Sequence, residues 1–324
     1  MPSHANSVTT QETIGDTVVA TAGQQKELQG VQVVFQTPFY EDGRLDMETF
    51  DRQLDWLFDE GVDGIVFAMV SEILRLSSEE RDAVTISACR FAQNRGGDSI
   101  ISVGAESVTT AIRHARVAAD AGATALMAAP PSLFRVDDDG LLRYYMSIAE
   151  AVPLPMVVQD ASGYVGAPLS IDLQARLHHE LGELAYFKPE APPIGPRVTQ
   201  LRERTGNSAR IFEGTGGLYL IDSFRRGAVG TMPAGDLVWA LVPLWRALVS
   251  GNFDHAYRIS GPLAQIISLQ TSLDSFVAIE KRNLVREGIF PTATMRQPTG
   301  EVIDDQMVEE VDRLVDLLRQ AVAK

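Results

Sequence analysis

Val31-Gln32-Val33-Val34-Phe35-Gln36-Thr37-Pro38-Phe39 is an apolar run that ends in a hydroxyl and a proline. Its β-branched and aromatic side chains predict a strand over residues 31–35. The residues just past this strand decide between two parallel architectures. An open, doubly wound sheet places a Gly-rich phosphate loop after its first strand. Gln36-Thr37-Pro38-Phe39 has no glycine and cannot serve. The remaining choice is a sheet closed on itself.

The rest of the chain repeats the same rhythm. Further apolar runs at 64–68, 99–103, 125–129, 156–160, 185–188, 210–213 and 229–232 predict seven more strands. Helical patterns separate them, at 47–60, 78–94, 108–121, 141–151, 171–181, 198–204 and 218–226. Ser77 with Glu80 three residues later marks the start of the second helix as a capping box. Gly61, Gly122 and Gly227 follow three helices, where a left-handed cap is expected. Strand starts lie roughly 20 to 35 residues apart, the length of a strand–helix unit. The strands are apolar on successive residues, as strands covered on both faces are. Eight such units predict a (β/α)8 TIM barrel over 29–235. Helical patterns without strands then continue at 237–249, 253–267, 272–287 and 304–323, so 236–324 is expected to be a C-terminal helical extension. Residues 1–28 are polar, lack the basic start and apolar middle of a signal peptide, and are expected to form a flexible tail.

Composition narrows the partners. The chain has 324 residues, a net charge of −15 and a pI of about 4.8. An acidic surface argues against nucleic acid and anionic membranes. No apolar run approaches the ~20 residues of a membrane span. The lone cysteine, Cys89, excludes an internal disulfide and a cysteine-based zinc site, and fits the cytoplasm. None of the five histidines has metal-ligand spacing, and nothing points to a metal or cofactor.

In a closed parallel barrel the C-terminal strand ends meet in one mouth. The sixth strand ends Leu184-Ala185-Tyr186-Phe187-Lys188-Pro189-Glu190. A lysine at the inward end of an apolar strand is desolvated, which favours the neutral, nucleophilic amine. Such an amine can form a Schiff base with a ketone. Around it the mouth is expected to gather Val70, Ser71 and Glu72 from the second strand, Ser132 from the fourth, and Gln159 and Asp160 from the fifth. Gly214 and Thr215 join from the seventh, and Met232 from the eighth. Glu72 equally suits a cap or an ion pair, and the glycines a tight turn. Met69 and Met232 suit pocket-wall packing, and Tyr164 a surface loop.

These pieces resemble the dihydrodipicolinate synthase/N-acetylneuraminate lyase family of Schiff-base lyases. The matching residues are Thr37-Pro38-Phe39 with Asp42-Gly43 and Asp46; Gly61-Val62-Asp63-Gly64; Glu72 with Leu76-Ser77-Ser78-Glu79-Glu80-Arg81; Gly122-Ala123; Leu154-Pro155; Lys188; and Gly227-Ala228-Val229-Gly230. The resemblance implies that Lys188 forms an imine with a 2-keto acid, and that the protein is a homotetramer. It also carries departures. The family's Gly-Thr-Thr-Gly-Glu is Ala68-Met69-Val70-Ser71-Glu72 here. No arginine follows the fifth strand, which counts against the amino-acid-biosynthetic synthase. The proton-relaying tyrosine after the fourth strand is replaced by Ser132; Tyr164 stands in for it only if its loop folds inward. The Ser-Glu, Gln-Asp-Ala and Phe-Lys-x-Glu patterns look most like 2-keto-3-deoxy-arabonate dehydratases.

The expected reaction is dehydration of a 2-keto-3-deoxy sugar acid. Lys188 is the nucleophile, Glu190 and Ser132 are candidate proton carriers, and the other mouth residues bind substrate. The alternatives are a retro-aldol lyase releasing pyruvate, a synthase-like condensation, and a keto-acid-binding module with little catalysis.

Overall fold

The computed structural model describes residues 27–300 and 303–323; all but the last two residues of the expected tail lie outside them. Eight parallel strands close in chain order: β1 (Gly30–Val34), β2 (Gly64–Phe67), β3 (Asp98–Ser102), β4 (Ala125–Ala128), β5 (Met156–Asp160), β6 (Ala185–Pro189), β7 (Arg210–Glu213) and β8 (Gly230–Thr231). β8 returns to β1 through Gly30 opposite Gly230 and Val31 opposite Thr231. The expected TIM barrel is the observed one.

Alternation along each strand builds two cores. Val34, Val66, Ile100, Met127, Val157, Tyr186 and Phe212 fill the barrel interior. Their neighbours Val33, Phe35, Ile65, Phe67, Val158 and Phe187 face the surrounding helices. Those helices are α1 (Met47–Asp59), α2 (Ser78–Arg95), α3 (Val108–Asp120), α4 (Asp138–Ala151), α5 (Ile171–Leu181), α6 (Ile194–Arg204) and α7 (Leu220–Arg225). The capping box of α2 forms, with Ser77 Oγ accepting from Glu80 N and Glu80 Oε2 from Ser77 N. Gly61, Gly122 and Gly227 take φ of 90°, 86° and 88°. α4 starts three residues before its expected first turn because Asp137 caps it through Gly140 N at 2.8 Å.

α8 (Val238–Val249) follows β8 and packs Val238 and Val242 into the core of the ring. The eighth ring helix therefore comes from the segment that the sequence assigns to the extension. α9 (Phe253–Leu269) and α11 (Asp305–Val322) pack together over α7 and α8 in a second apolar cluster. α10 (Leu273–Arg286) lies against a 3-10 turn, Met69–Ser71, at the C-terminal end of β2. That contact lays α10 across the barrel mouth.

Candidate active site

Lys188 and Glu190 are both inward on β6 and just beyond it, because residues two apart on a strand share a face. Lys188 is 4% exposed, and its Nζ lies 3.1 Å from Glu190 Oε1. The β5–β6 register sets Gln159 directly opposite Lys188. Gln159 Nε2 donates to Glu190 Oε2 at 2.9 Å. One carboxylate thus holds the amine with one oxygen and the amide with the other. Burial pushes the Glu190 carboxyl up, against the pull of Lys188. Gly214 at the end of β7 is required by close approach. A methyl group there would lie 2.8 Å from Lys188 Cγ, 2.9 Å from its Cε and 3.0 Å from Glu190 Cγ.

These groups line one cavity at the barrel mouth. Of the residues read from the sequence, Lys188, Glu190, Val70, Gln159, Gly214 and Met232 line it. Met69 and Val70 open the 3-10 turn, and the Ser71 and Glu72 amides close it on the carbonyls of Ala68 and Met69. Amides that open a helical turn have no partner within it and face outward for an acceptor.

Five of the expected residues are placed elsewhere. Ser132 is exposed, and its N and Oγ both reach Glu106 Oε1 at 3.0 Å. The Ser71 hydroxyl donates to Phe35 O and accepts from Ala68 N. Glu72 sits in a left-handed conformation, φ 54°. Its Oε1 pairs with Lys281 Nζ at 3.3 Å and its Oε2 accepts from Arg296 N at 3.2 Å, so it ties the β2 loop to the C-terminal segment. Asp160 points outward, since it is one residue past the inward Gln159. It pairs with Arg197 at 3.0 Å and accepts from Ser162 Oγ and Leu169 N. Thr215 gives its N–H and hydroxyl to Glu213, whose second oxygen accepts from Gly217 N and Thr231 Oγ1.

Four polar residues of the cavity, Tyr164, Asp236, Gln270 and Glu280, are not among the site residues expected from the sequence. Tyr164, expected on a surface loop, folds inward. Its ring meets Phe276 of α10 edge-on at 5.6 Å, and burial pushes its hydroxyl well up. Phe276 supplies an apolar seat that no pattern within the loop reveals. Asp236 follows β8 and lines the cavity with Gln270 and Glu280. The Asp236 carboxyl is pushed up to about 6 by burial, and Glu280 well above the usual carboxylate range by burial and by Asp236. A helical pattern carries the signal for Glu280. Val277, Glu280, Lys281 and Leu284 fall on one face, so two charges interrupt an apolar stripe. Among the described residues, no group of three or more His, Cys, Asp or Glu side chains could hold a metal ion, and no helix is long and apolar enough to cross a membrane.

Comparison with known proteins agrees with this architecture. The model of the dihydrodipicolinate synthetase family matches residues 27–318. L-2-keto-3-deoxyarabonate dehydratase of Azospirillum brasilense is 27% identical over 286 residues, covering 86% of this chain and 91% of that protein. 4-Hydroxy-tetrahydrodipicolinate synthase of Chloroherpeton thalassium is 28% identical over 294 residues, covering 88% and 96%. The crystal structure of dihydrodipicolinate synthase from Rhodopseudomonas palustris superposes with a TM-score of 0.82 at 26% identity, covering 90% of this chain and 98% of that one. The chain belongs to the dihydrodipicolinate synthetase family of lyases.

Proposed function

We propose that this protein dehydrates a 2-keto-3-deoxy sugar acid through an imine on Lys188. The observation that carries the reading is the Lys188–Glu190–Gln159 arrangement at the wall of one cavity in the barrel mouth. Lys188 passes a proton to Glu190 across their 3.1 Å contact and its amine adds to carbon 2 of the keto acid; Glu190 returns that proton to the carbon 2 hydroxyl, which leaves as water to give an iminium. Glu190, with its raised proton affinity, takes a proton from carbon 3. The resulting enamine expels the carbon 4 hydroxyl, which takes a proton from an acid in the cavity and leaves as water. Hydrolysis of the iminium returns Lys188 and an unsaturated keto acid one water lighter than the substrate. The amides of Met69 and Val70 receive the substrate carboxylate.

The choice of substrate follows from charge. Among the described residues that line the cavity, Lys188 is the one cation, and no arginine stands there for a second carboxylate. A single carboxylate with a hydroxylated tail suits this lining. The dehydratase of Azospirillum brasilense supports the same choice. A homotetramer, as the sequence resemblance implies, in the cytoplasm, which the lone cysteine fits, is part of the proposal.

Retro-aldol cleavage uses the same imine and differs in the bond that breaks. Incubation with a panel of 2-keto-3-deoxy pentonates and hexonates, read by mass spectrometry, separates the two. The proposal expects one product, lighter by one water. Pyruvate with an aldehyde would establish aldol cleavage, and consumption of neither would leave a binding module.

A further inference from the structure

We propose that Asp236 and Glu280 form a second carboxyl site in the Lys188 cavity, which holds the hydroxylated tail of the substrate and delivers the proton with which its hydroxyl departs. This inference rests on the imine reading above.

Asp236 reaches the cavity from the loop after β8, and Glu280 from α10 beyond the barrel. Both are buried, at 3% and 1% exposure. Their hydrogen-bond partners are neutral amides. Asn283 Nδ2 donates to Asp236 Oδ2 at 2.8 Å, and Gln36 Nε2 to Glu280 Oε2 at 3.0 Å. Among the described residues no cation stands within ion-pairing distance of either. The adjacent Lys281 turns to Glu72 and to Thr294 O instead. Glu72 is as deeply buried and has its lysine, so it is a structural ion. A buried carboxyl without a cation costs several kcal/mol unless it keeps its proton. Two such groups in one cavity share protons as a pair.

A second observation points to a ligand. Gln159 and Gln270 line the same cavity at 2% and 6% exposure. The Oε1 atom of each is buried without a hydrogen-bond partner. Two unpartnered acceptors, one ionised carboxylate and one carboxylic acid match a chain of hydroxyl groups, each both donor and acceptor. A tail ending in a second carboxylate would meet the Asp236 carboxylate with no cation beside it and be repelled.

The division of labour follows from surroundings. Asn283 and the backbone amides of Asp236 and Leu237 favour the ionised form of Asp236. Glu280 faces that charge and keeps its proton. In the enamine, electrons flow from nitrogen through carbons 2 and 3 and break the bond from carbon 4 to oxygen. The Glu280 proton joins the departing oxygen, which leaves as water. Glu280 is left as a carboxylate and Glu190 holds the carbon 3 proton. Exchange with water restores both.

The test compares the wild type with Glu280→Gln and Asp236→Asn by turnover and by borohydride trapping at Lys188. Pyruvate serves as the probe without a hydroxylated tail, and a 2-keto-3-deoxy pentonate as the probe with one. We expect Glu280→Gln to lower kcat about 100-fold or more, the range of a lost general acid. It should still trap pyruvate, and it should trap the sugar acid at intact mass rather than one water lighter. Asp236→Asn should raise KM for the sugar acid at least 10-fold. Wild-type kcat in Glu280→Gln overturns the proposal, as does parallel loss of pyruvate trapping, which would make Glu280 structural. A wild type that traps no keto acid overturns the imine reading and this inference with it; the other outcomes leave the imine reading standing.

Discussion

Replacing Asp236 by asparagine is expected to stabilise the protein at neutral pH while impairing the reaction. The carboxyl titrates near 3.9 in an unfolded chain, and burial pushes it up to about 6 in the folded protein. The folded state therefore binds this proton more tightly than the unfolded one. Its contribution is fully present below about pH 4 and is lost as pH rises through 6. At 1.36 kcal/mol per pH unit, the wild type loses roughly 3 kcal/mol between pH 4 and pH 7. Asparagine does not titrate and avoids the loss. It keeps an oxygen for Asn283, but its amide faces the backbone amides that the carboxylate accepted from, at a cost of about 1 kcal/mol. Relief of the repulsion on Glu280 acts in the same direction as the gain. The variant should be about 2 kcal/mol more stable at pH 7 and about 1 kcal/mol less stable at pH 4. Urea unfolding of both proteins across that range reads the difference directly. A difference that does not change with pH, or a variant less stable at pH 7, would refute the reasoning.

Two further substitutions separate structural from chemical roles. Lys281→Met leaves Glu72 buried without its lysine and should cost about 3–5 kcal/mol in urea unfolding. A loss under about 1 kcal/mol would mean that Arg75, 4.0 Å away, suffices. Ser132→Ala should keep kcat/KM within twofold, because Ser132 is exposed and bonded to Glu106; a 10-fold loss would bring it into the site.

The barrel was legible because its signals are periodic and local. Eight apolar runs, the Ser77–Glu80 box and three cap glycines each predicted what formed. Lys188, Glu190 and Gln159 were legible because strand ends converge by rule and residues two apart share a face. The same parity puts Asp160 outside, with Arg197, one residue past Gln159. Tyr164, Asp236 and Glu280 depend on where α10 docks. Phe276 draws Tyr164 inward, and Asn283 meets Asp236 across 47 residues of chain. Nothing in the barrel repeat encodes that docking. The interrupted apolar face of α10 announces buried charge without saying which cavity receives it.

The central claim is that Lys188 carries the chemistry. Borohydride reduction during incubation with pyruvate and with 2-keto-3-deoxy sugar acids, followed by peptide mass mapping, tests it most directly. The account predicts a reduced adduct on the Lys188 peptide, absent in Lys188→Ala together with turnover. An adduct at another lysine, or undiminished turnover in Lys188→Ala, would contradict it.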